Sequence, residues 1–258
     1  MHSIQRTTAR SNDVLVLVAH GTRSARGVDM VAALADAVSA QVGLTRVAFV
    51  DVLGPSPAEV LRDIAGHAIL VPAFLASGYH VHTDVRREVE ASGHQSVTVT
   101  PALGPDPALA RVMLRRLHEA GWQSGDAIVL AAAGSSDSRA LRDVERAALM
   151  LAEAAGSRVD IGYIATGTPK VVDVVAEARV RGARRVFIAS YLLADGLFHE
   201  RLSTAGADGV TQPLGVDPGV VDLVVSRYAA AREPALQNTS RYDRGYDEDV
   251  CRPGRSGS

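Results

Sequence analysis

Cysteine is almost missing from this chain. The one present, Cys251, lies in a polar tail, which excludes an internal disulfide framework or a cysteine-built metal cluster. That usage fits a reducing compartment. Aromatic residues amount to 4% of the sequence, too few for the stacking platforms that hold single-stranded nucleic acid. Neither sign of charge dominates: 27 Lys and Arg against 29 Asp and Glu leave a formal charge of −2, with no overall attraction to DNA or RNA. No apolar run approaches the roughly 20 residues that cross a bilayer, and residues 1–13 are polar with no signal-peptide core. Two phosphate-binding signatures are absent as well. No Gly-x-Gly-x-x-Gly follows the first apolar run, which weighs against a dinucleotide-dependent oxidoreductase, and no Gly-Lys-Ser/Thr loop of the nucleotide hydrolases occurs. The expectation is a cytoplasmic protein with no membrane or nucleic-acid partner.

What is present is a globular composition. Of 258 residues, 47% are apolar, enough for one large domain or two modest ones with real cores. Apolar β-type runs at 14–19, 45–51, 67–74, 97–100, 126–132, 158–164, 185–192 and 209–212 alternate with segments of helical spacing. Those helices are expected at 25–42, 57–65, 82–92, 107–120, 137–155, 169–182, 197–205 and 218–231. Such alternation predicts an α/β fold in which parallel sheets are covered on both faces. Pro57, Pro107, Pro169 and Pro218 suit first-turn helix positions, each behind a candidate N-cap: Ser56, Asp106, Thr168 and Asp217.

The halves also repeat. Thr100-Pro101-Ala102-Leu103-Gly104-Pro105-Asp106-Pro107 is echoed by Gln212-Pro213-Leu214-Gly215-Val216-Asp217-Pro218, and Ala19-His20-Gly21-Thr22 by Ala132-Ala133-Gly134-Ser135. Phe74-Leu75-Ala76-Ser77-Gly78 is matched by Leu192-Leu193-Ala194-Asp195-Gly196. A period of about 112 residues is too long for a solenoid and reads as two similar doubly wound parallel-sheet domains related by duplication. The expected division is 12–122 and 123–232, followed at 233–258 by a disordered tail without a periodic apolar face.

Two histidines stand where such a fold builds its sites. His20 follows the run 14–19 and His80 the run 68–75, each just ahead of a helical segment, so both emerge at the carboxyl edge of a parallel sheet. Neutral imidazoles there can hold a borderline divalent ion or take up protons. Next to His20, Gly21 permits a sharp turn, Thr22 or Ser24 can cap the next helix, and free N–H groups with Arg23 nearby suit an anion. Next to His80, the chain leaves its strand at Gly78; His82 is a further candidate, and Asp84 fits a helix cap as well as it fits chemistry. In the common strand order 2-1-3-4, strand one borders both strand two and strand three, so His20 and His80 can face one another across a crevice. Asp51, ending strand two, can add a carboxylate to that rim or cap its own loop. The second half lacks these groups. Ala133 stands for His20, Tyr163 for Asp51 and Phe198 for His80, with His199 displaced by one onto a helix surface, so one asymmetric site is expected. His67, His94 and His118 read as solvated histidines at element ends.

Together these motifs resemble the class II tetrapyrrole chelatases, in particular the long two-domain sirohydrochlorin chelatases of siroheme and cobalamin synthesis. The resemblance spans residues 14–231 and is carried by Ala19-His20-Gly21-Thr22-Arg23, by Phe49-Val50-Asp51, and by Pro72-Ala73-Phe74-Leu75-Ala76-Ser77-Gly78-Tyr79-His80 with Asp84-Val85. It implies that His20 and His80 are catalytic and receive the metal, with Asp51 at the place of an acidic residue that is usually Glu. It further implies that Gly21, Thr22, Arg23, Ser77, Gly78, Tyr79 and His82 meet the substrate, a sirohydrochlorin-type tetrapyrrole into which Fe²⁺ or Co²⁺ is inserted. The metal is then a substrate, no cofactor is bound permanently, and the chain is a monomer or homodimer. Arginines such as Arg23, Arg86 and Arg87 would answer the substrate's many carboxylates. A loose ligand set suits this chemistry, because a closed four-ligand site keeps its ion. Two other readings stay open on the residues. A histidine phosphatase also places His-Gly-Thr after a first strand, but wants an arginine where Ala19 stands. The other is a non-catalytic carrier of metal or tetrapyrrole.

Overall fold

Strands buried on both faces organise this molecule. In β1 (Val14–Ala19), Leu15, Leu17 and Ala19 enter one apolar core while Val16 and Val18 enter another. That is the pattern of a parallel sheet between two helical layers. The computed structural model describes residues 13–76 and 83–232; the expected disordered tail at 233–258 lies outside the described residues. After β1 come α1 (Ala25–Val42), β2 (Thr45–Phe49), α2 (Pro57–Arg62), β3 (Ala68–Pro72), α3 (Val85–Ser92), β4 (Val97–Val99) and α4 (Pro107–Glu119). The second half repeats them as β5 (Ala127–Ala132), α5 (Ser138–Ala155), β6 (Val159–Tyr163), α6 (Val171–Val180), β7 (Val186–Tyr191), α7 (Leu197–Leu202), β8 (Gly209–Val210) and α8 (Pro218–Arg232). The strands form two four-stranded parallel sheets, ordered β2-β1-β3-β4 and β6-β5-β7-β8. Each is the expected 2-1-3-4 arrangement.

Of the four proline-led helix starts expected above, three follow their caps. Ser56 and Glu59 form a capping box. Asp106 Oδ1 accepts from the Ala108 N–H at 2.8 Å, and Asp217 Oδ1 from the Gly219 N–H at 2.8 Å. Thr168 does not cap: α6 starts at Val171, with Lys170 in the cap position. The reason lies in β6, because the Pro169 carbonyl accepts the Tyr163 N–H at 2.9 Å and extends the sheet instead of opening the helix. Pro55 does the same for Phe49 in the first half, also at 2.9 Å.

The halves exchange helices. α1 lies against β2 of its own sheet, but α8 covers β3; α5 lies against β6, but α4 covers β7. The central core therefore mixes Leu15, Leu34 and Ile69 with Leu130, Leu151 and Tyr191 in one continuous cluster. Two ion pairs lock the exchange, and each ties a cap carboxylate to the other half's helix. Arg227 on α8 donates to Asp106 Oδ2 at 3.0 Å and to the Ala102 carbonyl at 3.3 Å. Reciprocally, Arg115 on α4 donates to Asp217, with Arg116 3.9 Å away. Asp217 is only 4% exposed, so Asp217→Ala would remove both a cap and the buried carboxylate with which half-exposed Arg115 pairs. We expect a loss of about 2 kcal/mol, read as a lower denaturant midpoint at unchanged slope.

Three histidines expected to be solvated are partly structural. His67 sits with Nδ1 3.2 Å from Asp13 Oδ1 and Nε2 2.9 Å from Thr98 Oγ1, tying the start of β3 to its neighbours. His94 Nε2 donates to the Ile64 carbonyl at 2.9 Å, and its Nδ1 accepts from the Ser96 N–H at 3.1 Å. His118 is exposed, edge-on to Trp122 with ring centroids 5.3 Å apart. His94 thus answers backbone groups at element ends and His67 joins two side chains across the sheet, which position along the chain does not reveal.

Candidate active site

β1 delivers His20 to the carboxyl edge of the first sheet, where the ring is exposed. The ladder to β2 runs on beyond both strands: the Val50 N–H donates to the Ala19 carbonyl at 3.1 Å and the Asp51 N–H to the His20 carbonyl at 2.9 Å. That is why Asp51 stands beside His20. One carboxylate oxygen of Asp51 accepts from the Val52 N–H at 2.8 Å, so the local loop role and the rim position coexist. Gly21 is needed at the turn. Its φ is +101°, and a Cβ there would stand 2.0 Å from the Asp51 carbonyl oxygen. Thr22 Oγ1 accepts from the Ser24 N–H at 3.1 Å, and Ser24 takes the cap position of α1 without a side-chain cap bond. Arg23 is exposed.

β3 leaves its sheet alongside. The Ala73 N–H donates to the Val18 carbonyl at 2.8 Å, and the Phe74 ring stands edge-on to His20 with centroids 6.5 Å apart. Ser77, Gly78, Tyr79, His80 and His82 lie outside the described residues. Beyond them Asp84, 7% exposed, pairs with Arg87 at 3.1 Å, so that carboxylate is engaged within α3, while Arg86 is exposed. Among the described residues no three His, Cys, Asp or Glu side chains are grouped to hold a metal. Of the expected ligand set, His20 and Asp51 are thus brought together.

The second half repeats this rim without its chemistry. The Ala165 N–H donates to the Ala133 carbonyl at 3.0 Å, as Asp51 does to His20. The counterpart of Asp51 is therefore Ala165, not Tyr163; the register Ala132↔Tyr163 matches Ala19↔Phe49 and makes Tyr163 the equivalent of Phe49. The sequence comparison slipped by two residues because the apolar run of β2 continues through Val50 while the paired strand stops at Phe49. His199 is likewise not a free surface group. Its Nδ1 lies 3.0 Å from Asp195 Oδ1, and its Nε2 donates to the Thr211 carbonyl at 2.9 Å.

The two halves meet at the site. The Asp195–Gly196 loop approaches the His20 loop so closely that a Cβ on Gly196 would lie 3.8 Å from Thr22 Oγ1, and one on Gly27 3.0 Å from the Asp195 carbonyl oxygen. On the other side, Tyr191 donates its hydroxyl proton to the Leu75 carbonyl at 2.7 Å. Burial, reinforced by Asp143 and Asp106, raises that phenol far above its usual range, so it remains a neutral donor. In the sequence Phe74 is one letter of the motif ahead of His80 with no role of its own, and Tyr191 reads as an ordinary strand residue, so neither is marked there as a neighbour of His20.

No helix among the described residues is long and apolar enough to cross a membrane. A curated relative, the sirohydrochlorin ferrochelatase of Priestia megaterium, is 24% identical over 198 residues, covering 72% of this chain and 74% of its own. SirB from Bacillus subtilis with Fe³⁺ superposes with a TM-score of 0.73 at 21% identity, over 86% of this chain and 96% of that one. The sirohydrochlorin chelatase SirB from Bacillus subtilis subspecies spizizenii in complex with cobalt gives 0.71 at 20% identity, over 86% and 95%. The family model CbiX matches once in each half, at residues 14–120 and 127–231, and the chain belongs to the CbiX family.

Proposed function

We propose that this protein is a metal-inserting chelatase that places Fe²⁺, and also Co²⁺, into a sirohydrochlorin-type tetrapyrrole. The observation that carries the reading is the asymmetric rim: His20 beside Asp51 in one half, Ala133 beside Ala165 in the other. The name of the Priestia megaterium relative and the iron and cobalt in the two SirB structures support the substrate and the metals. Insertion exchanges two pyrrolic N–H protons for one M²⁺. Imidazole serves both sides of that exchange, holding the ion weakly and accepting a proton near neutrality. We assign these roles to His20 and His80, with Asp51 assisting. Gly21, Thr22, Arg23, Ser77, Gly78, Tyr79 and His82 contact the macrocycle and its carboxylates. In this reading residues 12–122 carry the chemistry and 123–232 are a degenerate repeat. The metal is a substrate with no resident cofactor, and the enzyme works in the cytoplasm as a monomer or homodimer.

The test is direct. Purified protein, metal-free sirohydrochlorin and Fe²⁺ or Co²⁺ are mixed without oxygen, and the absorption change is followed against a protein-free control. Catalytic protein should accelerate insertion through many turnovers. Stoichiometric binding without turnover would instead support a carrier, and no change at all would reject the proposal.

A further inference from the structure

A cavity of about 230 Å³ lies between the halves, walled by the exits of β3, β5 and β7 and by α5. Phe74 and Leu75 contribute from the first half, and Ala133, Leu141, Val144 and Leu192 from the second. Its position follows from the duplication. Ala133 occupies the second-half place of His20, and the adjoining Gly134 cannot bear a side chain: its φ is +92°, and a Cβ would stand 1.6 Å from the Thr166 carbonyl oxygen. The place of an imidazole in one half is thus open space in the other. Phe74 joins the two, lining this cavity while its ring stands edge-on to His20 with centroids 6.5 Å apart. Among the described residues, no charged side chain lines it. The Tyr191 hydroxyl in its wall already donates to the Leu75 carbonyl at 2.7 Å.

We propose that this cavity is an apolar subsite for an uncharged carbon edge of the tetrapyrrole, and that Ala133 sets its size. The inference rests on the chelatase reading above. Two properties decide what can enter. A carboxylate arm placed there would be desolvated with no cationic partner among the described residues, so the arms stay outside and a hydrocarbon part of the ring goes in. The volume is below the roughly 300–1,000 Å³ of pockets that enclose a whole drug-sized ligand, so the cavity takes one edge of the macrocycle and leaves the rest in the cleft. Seated there, beside the Phe74 ring that stands edge-on to the imidazole, the macrocycle is held in register with His20. Ala133 is in this sense a specificity-determining residue. The repeat lost an imidazole and gained room.

The test fills the cavity from two of its lining residues, with Ala133→Leu and Leu141→Phe. Binding of metal-free sirohydrochlorin is titrated by its absorbance, and Co²⁺ binding to the free protein is measured in parallel, with thermal melting as the fold control. Each folded variant should bind the tetrapyrrole at least tenfold more weakly and bind Co²⁺ as the parent does. If Ala133→Leu fails to fold, Leu141→Phe alone decides. Tetrapyrrole affinity at the parental level in the folded variants overturns the subsite, and so does a parallel loss of Co²⁺ binding. A parent protein that neither binds nor metallates sirohydrochlorin removes the chelatase reading itself, whereas an active parent with indifferent variants removes only this inference.

Discussion

His20→Ala is expected to slow metal insertion at least a hundredfold while leaving the fold intact. A positioned group that accepts a proton in the rate-limiting step contributes typically 10²–10⁴-fold, and in the proposed reading the same ring also meets the incoming ion. The side chain is exposed at the end of β1, so its loss should change stability by less than about 0.5 kcal/mol. Initial rates of the anaerobic absorption change for Fe²⁺ and Co²⁺ give the comparison, and insertion at the parental rate would reject His20 as a participant. Asp51→Ala should cost less, because one of its oxygens is already taken by the Val52 N–H. If Asp51→Ala proved the more damaging, the carboxylate rather than the imidazole would be the principal base.

Gly21→Ala should be damaging for a different reason. At a φ of +101°, an L-residue is strained by roughly 1–2 kcal/mol, and the added methyl meets the Asp51 carbonyl oxygen at 2.0 Å. That oxygen belongs to backbone, so relief requires the β2 exit to move. A total loss of about 3 kcal/mol follows, lowering the melting temperature by roughly 6–12 °C for a chain of this size. Gly134→Ala should be destabilising to a similar degree, because the same device recurs against Thr166. Thermal unfolding of the two variants checks both. A Gly21→Ala protein as stable as the parent would mean that the turn relaxes freely and that Asp51 is not held in place by it.

The sheets were legible in the sequence because parallel strands buried on both faces are continuous apolar runs, and the helices between them have marked starts. Proline-led starts at 57, 107 and 218 held since each follows a working cap. The start at 169 did not, because Pro169 is recruited by Tyr163, a partner that only the folded sheet supplies. The rim was legible where a motif is local, as in His20-Gly21-Thr22-Arg23. It was misread where alignment of two strands had to be inferred, and Tyr163 was matched to Asp51 in place of Ala165. Tyr191 carried no signal, and Phe74 only as part of the motif that leads to His80. Their importance comes from the apposition of two halves, which no stretch of either half encodes by itself.

Because each sheet is roofed in part by the last helix of its counterpart, neither lobe is finished alone. Prising the lobes apart would strip α4 from β7 and α8 from β3, exposing apolar side chains such as Leu109, Met113, Val220 and Val224 to water. The crevice they frame therefore behaves as a caliper with a fixed setting rather than as a jaw. For the chelatase proposed above, a flat, rigid guest would meet a gap whose width the packed helices have already set.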